Sequence, residues 1–463
     1  MGKDQKQDVL DIFGSKWDGV GDLDYVTCWY KKANDYIKGT NVKCAFVSTN
    51  SITQGGAVAN LWRPLIEDGL CINFAWRSFR WDSEASLKAH VHCVIVGFSC
   101  IPLQESYLFI NDSSMIKAGN INGYLLNAPN VYIEKRMKPI CDVPEIVLGG
   151  QPIDDGNLIL TEEEKDILLH SEPDAKQLIR HFMMGKDFID RKPRYCLWLK
   201  GANPSILKHC PQIRERIAKV KEFRLSSNRT STVRAAETPS LFGAPFECLS
   251  DYIAMPKVSS ENRKYVPIDY LASEIIPGDK LFCLQNATLY HFGVLNSNVH
   301  MAWMRAVCGR LKSDYSYSNT IVYNNFPWPD IGPIPQPPSP KGQGANETSP
   351  NGGGLEGAKD LGSGAYRKIE QTAQAILDAR ALYPDSSLAD LYDEVTMPPE
   401  LRKAHQNNDR AVMEAYGFDW RTMTESECVA ELFKLYQQLL DREKEKEGEK
   451  KTKGKRGKKH ESE

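Results

Sequence analysis

With 463 residues, 41% of them hydrophobic and 25% charged, the chain has room for two or three domains with sizeable cores, which excludes a disordered polypeptide. The formal net charge is −2, so a surface for nucleic acid has to be a local patch and not a global field. No apolar run reaches the length of a membrane span or opens these residues as a signal peptide would, and the twelve cysteines form no C-x-x-C pair, so reduced thiols in a cytoplasmic protein are expected. The nearest approach to a metal site is His90, His92 and Cys93 inside an apolar stretch; without a fourth clustered ligand no metal is expected.

In chain order, Val26, Trp29, Tyr30, Ala33 and Ile37 fall on one helical face that Gly39 ends. "VKCAFVS" (42–48) is a short, near-continuous apolar run of the kind buried parallel strands show. Val58, Leu61, Trp62, Leu65 and Ile66 form a second helical stripe with Gly69 beyond it, and "CINFAW" (71–76) and "VHCVIVGF" (91–98) read as two more strands. Helix, strand, helix, strand, strand is the order of the second half of an open α/β sheet. A strand, a crossover helix and a parallel strand make one right-handed unit, and the last strand is expected at an edge. A glycine-rich nucleotide turn would follow a first strand; Gly19 and Gly21 are early enough, but no apolar strand precedes them.

Residues 100 to about 190 are mixed, with Thr161 and Glu164 at capping-box spacing. From "RYCLWLKG" (194–201) to "FPWP", strands and polar loops surround one clear helix, its face made by Leu295, Val299, Ala302, Trp303 and Ala306; this reads as an α+β domain. Residues 331–365 are rich in Pro, Gly, Ser and Asn and read as a flexible linker or insertion. Three helices follow: one lined by Ile369, Ile376 and Leu377, one from Pro398 to Gly417, and one capped by Thr424 and Glu427. The lysine-rich run at 441–463 has no apolar period, so a disordered charged tail is expected there.

Four stretches can carry chemistry. In "TNSITQGGAVANLW", Thr49, Asn50, Ser51, Gln54 and Gly55 follow a strand and precede a helix, where α/β sheets bind ligands; a helix cap with a glycine turn accounts for the same residues. "FAWRSFRWDSEASLKAH" (74–90) is aromatic and basic. Phe79 and Trp81 suit a base taken out of the stack, and Arg77 and Arg80 suit phosphates, although an ordinary hairpin has the same composition. Arg214 to Lys221 read as a solvated helix face, whereas "FRLSSNRTSTVR" alternates arginines with hydroxyls and no apolar period. That suits a loop following a phosphate backbone through Arg224, Arg229 and Arg234. In "GRLKSDYSYSNTIVYNNFPWP" (309–329), Arg310 and Lys312 can read guanine, Asn319 adenine, and Asp314 can accept from cytosine, with Ser316 beside them.

"LDYVTCWYKKANDYI", "CAFVSTNSITQGGAVANLWRPLIEDG", "INFAWRSFRWDSEASLKAHVHCVIVGF", "NATLYHFGVLNSNVHMAWMRAVCGRLKSDYSYSNTIVYNNFPWP" and "ILDARALYPDSSLADLYDEVTMPPELRKAHQNNDRAVMEAYGF" resemble, in order, consecutive blocks of the MmeI-like adenine-specific DNA methyltransferases, relatives of the type IIL restriction–modification proteins. The resemblance covers most of residues 22–418. It implies transfer of a methyl group from S-adenosyl-L-methionine to adenine N6 within a defined sequence of double-stranded DNA. The implied fold is α/β: the second half of a class I (Rossmann-like) methyltransferase sheet (1–110), a connecting region (111–190), an α+β target recognition domain (191–330), and, beyond the 331–365 linker, a C-terminal helical region (366–440). It also implies that the "SFRW" loop helps hold a flipped adenine, in a pocket expected from Phe79, Trp81 and Asn50.

The sequence departs from that pattern where the chemistry should be. The F-x-G-x-G turn for the methyl donor and the Asn-Pro-Pro-Tyr or -Phe motif do not occur; the only Asn-Pro begins at Asn203, in "GANPSILK". In the family the stretch resembling "GKDQKQDVLDIFG" comes just after the missing motif, so the chain is expected to start after it, without the family's N-terminal endonuclease region. Two readings follow: a methyltransferase inactive alone, as a truncated gene product or as one half of a split enzyme completed by a separate N-terminal chain, or a sequence-specific DNA-binding module without activity of its own. An unmatched sheet edge and an unpaired apolar face at residues 22–66 are expected where such a half joins. A nicotinamide-dependent oxidoreductase is excluded by the absence of a dinucleotide fingerprint.

Overall fold

A computed structural model describes residues 1–82, 90–332 and 356–457. The chain divides into two compact units, one built from Met1–Val143, Val299–Pro329 and Gly417–Glu463, the other from Pro144–Asn298 and Asp330–Tyr416. The backbone therefore passes between units four times, after residues 143, 298, 329 and 416.

The first unit begins with α1 (Lys3–Phe13), α2 (Thr27–Ile37), β1 (Lys43–Thr49), α3 (Gly56–Glu67), β2 (Cys71–Asp82), β3 (His90–Ser99), β4 (Ser106–Asn111) and β5 (Ser114–Ala118). The strands make one sheet in the order β1-β3-β2-β4-β5. β3 lies antiparallel between β1 and β2, from Lys43↔Ser99 to Thr49↔Cys93 on one side and from Cys71↔Ser99 on the other, while β2 and β4 run parallel. The edge position expected for the 91–98 strand is thus corrected. An apolar run marks a buried strand but carries no direction, and it is the doubly flanked β3 that buries Val94, Val96 and Phe98. The edge falls to β1, whose Val47 is 54% exposed and which pairs only with β3 among the described residues.

One face of this sheet is covered by α2 and α3. Tyr30 sits edge-on to Phe46 (5.3 Å) and Trp62 (5.4 Å) and shares a 2.9 Å hydrogen bond with Ser48 Oγ. Burial pushes the Tyr30 phenol up to about 12, so it stays neutral. The stripe Val58, Leu61, Trp62 and Leu65 is buried as its period predicts, but Trp29, assigned by the period to the inward face of α2, is 59% exposed.

The two later segments complete the unit's core. In the helix Asn298–Val307, the Trp303 indole donates to the Val322 carbonyl (2.9 Å), and its ring meets Phe433 at 5.7 Å and Tyr436 at 6.0 Å. Asn325 Nδ2 donates to the carbonyls of Glu134, Thr320 and Ile321, and Tyr436 donates to its Oδ1. Phe326 and Trp328 are buried here, 5.6 Å apart. The helix Glu425–Gly457 corrects the disordered tail expected from residue 441: glutamate and lysine favour helix, and Arg136 holds Glu443 through a two-point ion pair (2.6 and 2.9 Å). Residues 458–463 lie outside the described residues.

The second unit holds two four-stranded sheets. One runs Asp269–Leu271, Tyr252–Pro256, Leu281–Gln285, Ile146–Leu148 and is antiparallel throughout. The other runs Ile276–Pro277, Ile179–Met183, Tyr195–Leu197, Ile159–Leu160 and shares a core with Leu158, Phe182 and Phe242. Thr161 and Glu164 form the expected capping box on Glu162–Ser171. The helix Glu356–Ala381 begins inside the stretch read as a linker, which corrects its boundary; residues 333–355 lie outside the described residues. It packs with Leu289–Leu295 and Pro399–Ala415 so tightly that a Cβ on Gly293 would stand 2.7 Å from Ile369 Cγ2. All twelve cysteines are free thiols. No described helix is long and apolar enough to cross a membrane, and no group of three metal-ligating side chains forms among the described residues.

Candidate nucleic-acid interface

After β1 the backbone makes a 3-10 turn, Asn50–Thr53, and reaches Gly55 at φ 57°, ψ −151°, a conformation essentially restricted to glycine. There the Gly55 amide donates to the Val307 carbonyl (3.1 Å), which ties the turn to the end of the helix Asn298–Val307 and to the hairpin Gly309–Leu311/Asp314–Ser316 that follows. Asn50, 9% exposed, donates through Nδ2 to Ser78 Oγ (3.3 Å). Three stretches far apart in sequence, 50–55, 77–81 and 309–316, therefore share one compact unit. The sequence places 309–329 in a recognition domain with 191–298, and by packing Val299–Pro329 belongs to the compact unit of the five-stranded sheet, where Trp303, Val322 and Phe326 are buried.

Arg77, Phe79, Arg80 and Trp81 lie on β2, so the expected "SFRW" loop is a strand, irregular in register between Trp76 and Phe79. Alternation puts Phe79 and Trp81 on one side, rings 6.2 Å apart, with Trp81 55% exposed and Arg80 exposed. Residues 83–89 of this stretch lie outside the described residues. In the hairpin, Arg310 stacks 4.1 Å over the Tyr315 ring and donates to the Ser313 carbonyl (2.7 Å), while Lys312 occupies the exposed tip at φ 58°. A lysine held in the left-handed region at a turn is costly and presents its ammonium to solvent. Asp314 and Ser316 are half-buried on the second strand, and Asn319, also half-buried, opens the turn Asn319–Tyr323.

Arg224 requires a correction. Residues 211–225 and 230–235 are helices, not a loop, and the Arg224 side chain is 0% exposed. Its Nε donates to Ile153 O, one terminal nitrogen to Ala235 O and Thr238 O, and the other to Pro152 O and Leu241 O, at 2.7–3.1 Å. All five guanidinium donors are used, so nothing is left for a phosphate. Arg229 and Arg234, by contrast, are exposed.

A cavity of ≈ 220 Å³ opens in the first unit, lined by Gln54, Arg77, Ser78, Arg305, Arg310 and Glu425 among others. Arg305 meets Glu425 in a fork-on-carboxylate pair, both contacts 2.8 Å, and Arg77 donates to Ser426 Oγ (2.9 Å). Arg305 and Glu425 escaped the sequence reading: one sits beside an apolar helix stripe, the other is 120 residues further on. This cavity does not fit S-adenosyl-L-methionine, a sulfonium cation bearing an adenosine. Three guanidinium groups line it, and its volume falls below the roughly 300–1,000 Å³ of small-molecule sites. A second cavity, ≈ 410 Å³, lies in the other unit beside Asp154, Glu164 and Arg194. Its carboxylates are held by the fold: Asp154 accepts from Leu158 N (2.6 Å), and Glu164 accepts from Thr161 N and Arg216.

Comparison with known proteins gives matches along nearly the whole chain. Residues 1–110 match the MmeI DNA-methyltransferase domain, 127–330 the MmeI target recognition domain and 364–442 the MmeI C-terminal domain. The chain is 35% identical over 441 residues to DNA methyltransferase A of Bacillus subtilis (strain 168), covering 95% of this chain and 46% of that protein. It also superposes on a solved structure of the type IIL restriction–modification enzyme MmeI in complex with DNA, with a TM-score of 0.81 and 41% identity, over 95% of this chain and 55% of that one. The chain spans about half the length of these relatives.

Proposed function

We propose, from the premise that the chain belongs to the MmeI-like DNA methyltransferases and carries their methyltransferase, target recognition and C-terminal domains, that it reads one sequence of double-stranded DNA and presents an adenine of that sequence for N6 methylation. The methyl group comes from S-adenosyl-L-methionine, held by elements supplied from outside these 463 residues. One observation carries the DNA-reading half of this: the grouping of Asn50, the aromatic and basic strand 77–81 and the Arg310–Asp314 hairpin in a single compact unit. Phe79 and Trp81 offer π-faces for a base removed from the stack, Arg77, Arg80, Arg229 and Arg234 suit phosphates, and Arg310, Lys312, Asp314, Ser316 and Asn319 suit base edges.

The completion half is supported by the edge of β1 with Val47, which no second strand pairs among the described residues, and by the exposed rings of Trp29 and Tyr36 on α2. A separate N-terminal methyltransferase half can add a strand there. A restriction–modification setting and a cytoplasmic location fit this reading and the free thiols.

The second reading, a DNA-binding module that takes part in no methyl transfer, is favoured by the misfit of the ≈ 220 Å³ cavity to the donor. The DNA half of the proposal is tested by selecting bound duplexes from a randomised library, then repeating with Lys312→Ala. Loss of preference at one base position supports base reading. An equal fall for all sequences makes Lys312 a phosphate contact, and no preference in the unaltered chain removes the recognition role.

A further inference from the structure

Residues directly opposite one another on neighbouring strands lie on the same face of a sheet. In the five-stranded sheet this rule puts Val47, Ile95, Trp76, Phe109 and Met115 in one unbroken row that crosses all five strands. Tyr30 of α2 meets Phe46, the neighbour of Val47, so the row lies on the face turned away from that helix. On the helix-covered face the adjacent row passes through Val96, Ala75 and Leu108, none more than 2% exposed. In the other row Val47 and Met115, at the two ends, are 54% and 53% exposed, and the three residues between them are half-buried, Trp76 stacked on Phe109 at 5.0 Å. Beside this row, on the same face, the Phe74 ring lies over Gly97, with Tyr107 next to it. An antiparallel sheet that gives one face to water carries polar side chains there. This face is apolar and aromatic from one edge strand to the other, the mark of a surface made for burial.

We propose that this face is the main docking surface for the separate N-terminal methyltransferase half, which covers it with apolar helix faces while adding its strand to β1. The proposal rests on the completion reading above and deepens it, naming the face and the chemistry of the contact. Val47 belongs both to the row and to the β1 edge that no second strand pairs among the described residues, so face and edge form one continuous surface. Five strands at a spacing of roughly 4.8 Å make the row about 19 Å wide. That width takes two helices side by side at about 8–10 Å each. The chain spans 46% and 55% of the two relatives, and the rest of their length holds a body large enough to supply both strand and helices. A second copy of this chain fits less well, because two copies packed face to face would still leave each β1 edge open. Lys117, the one charged residue of the neighbouring row, is already paired with Glu105, so apolar burial and not charge decides the contact.

The test is calorimetric titration of the full chain with the separately produced N-terminal half of the Bacillus subtilis relative, at several temperatures and salt concentrations. Binding should show a negative heat-capacity change and little dependence on salt. Met115→Glu, on the edge strand farthest from β1, and Trp76→Ser, at the centre of the row, should each weaken it about tenfold or more. Leu382→Glu, which alters an equally exposed apolar residue in the other unit, should leave it unchanged. Met115 is half exposed, so its variant should keep the Tm of the unaltered chain and report on docking alone. If the half binds, and Val47→Glu weakens it while Met115→Glu and Trp76→Ser do not, the strand addition at β1 stands and the face assignment is overturned. If the half does not bind the unaltered chain, the completion reading fails and the proposal with it. Sedimentation of the chain alone separates the remaining occupant: a dimer that Met115→Glu makes monomeric, with no binding of the half, would assign the face to a second copy and overturn the proposal.

Discussion

At the scale of single residues, the arginines divide by environment and not by composition. Arg224 and Arg229 stand five positions apart in one basic stretch, yet the first binds five carbonyls in the interior and the second is exposed. Arg224→Met should destabilise the fold by about 3 kcal/mol or more, because several buried carbonyls lose their donors together. Arg229→Ala should move stability by no more than about 0.5 kcal/mol while lowering DNA affinity and its salt slope. Urea unfolding and binding isotherms on the two variants separate the roles, and a stable Arg224→Met would refute the buried assignment. Nothing local in "FRLSSNRTSTVR" distinguishes them, since the carbonyls come from residues 152–153 and 235–241. Tyr30 and Trp62 were legible because helical period alone aims them at the sheet, while Trp29, one step from that face, was not.

Among the elements, the helix Glu425–Gly457 and the helices of the second unit carry the clearest pH dependence. Arg136 beside Glu443 holds that carboxyl below its usual range. Its contribution is therefore complete above the ordinary glutamate pKa of about 4.3 and is lost as pH falls through the lower folded value. Far-UV circular dichroism should show the C-terminal helix fraying on acidification below about pH 4, and Glu443→Gln should remove that step. In the second unit, His405 is stacked on Tyr265 (4.1 Å), bonded to the Tyr392 hydroxyl (2.8 Å), and near Arg380 and Lys264, so burial and these cations hold its pKa well below the usual value. The fold keeps it neutral. Stability is then complete above about pH 6.5 and falls as the pH drops below it, because the unfolded chain takes up a proton the native state refuses. Tm should decline from about pH 7 to about pH 5, and His405→Gln should flatten the decline; an unchanged slope would contradict it. The order helix, strand, helix, strand, strand was legible from period and length, whereas the antiparallel insertion of β3 was not, because an apolar run looks the same in either direction. The helix beyond residue 441 was missed because its anchor, Arg136, lies some 300 positions upstream.

On the scale of the whole molecule, domains drawn along the sequence and units drawn by packing do not coincide. The helix carrying Trp303 and the helix carrying Phe433 and Tyr436 complete the same core as Tyr124. Removing residues 417–463 should therefore unfold the sheet-bearing unit as well as the C-terminal helix, and hydrogen exchange should show loss of protection in β2 to β4; retained protection would mean the sheet stands alone. This interleaving explains why the candidate site was legible only in pieces. Asn50, Arg77 and Arg310 each stood out locally, but their juxtaposition depends on Gly55 meeting Val307, a contact that no spacing rule encodes. The proposed function has these residues read DNA and rely on a donor site built from outside the 463 residues. Its most direct test is transfer of a labelled methyl group from S-adenosyl-L-methionine to unmethylated DNA, by the purified chain alone and together with the separately produced N-terminal half of a relative. No transfer by the chain alone is expected, and sequence-specific transfer to adenine N6 on addition of that half; transfer by the chain alone, above a no-protein control, would refute the proposed function.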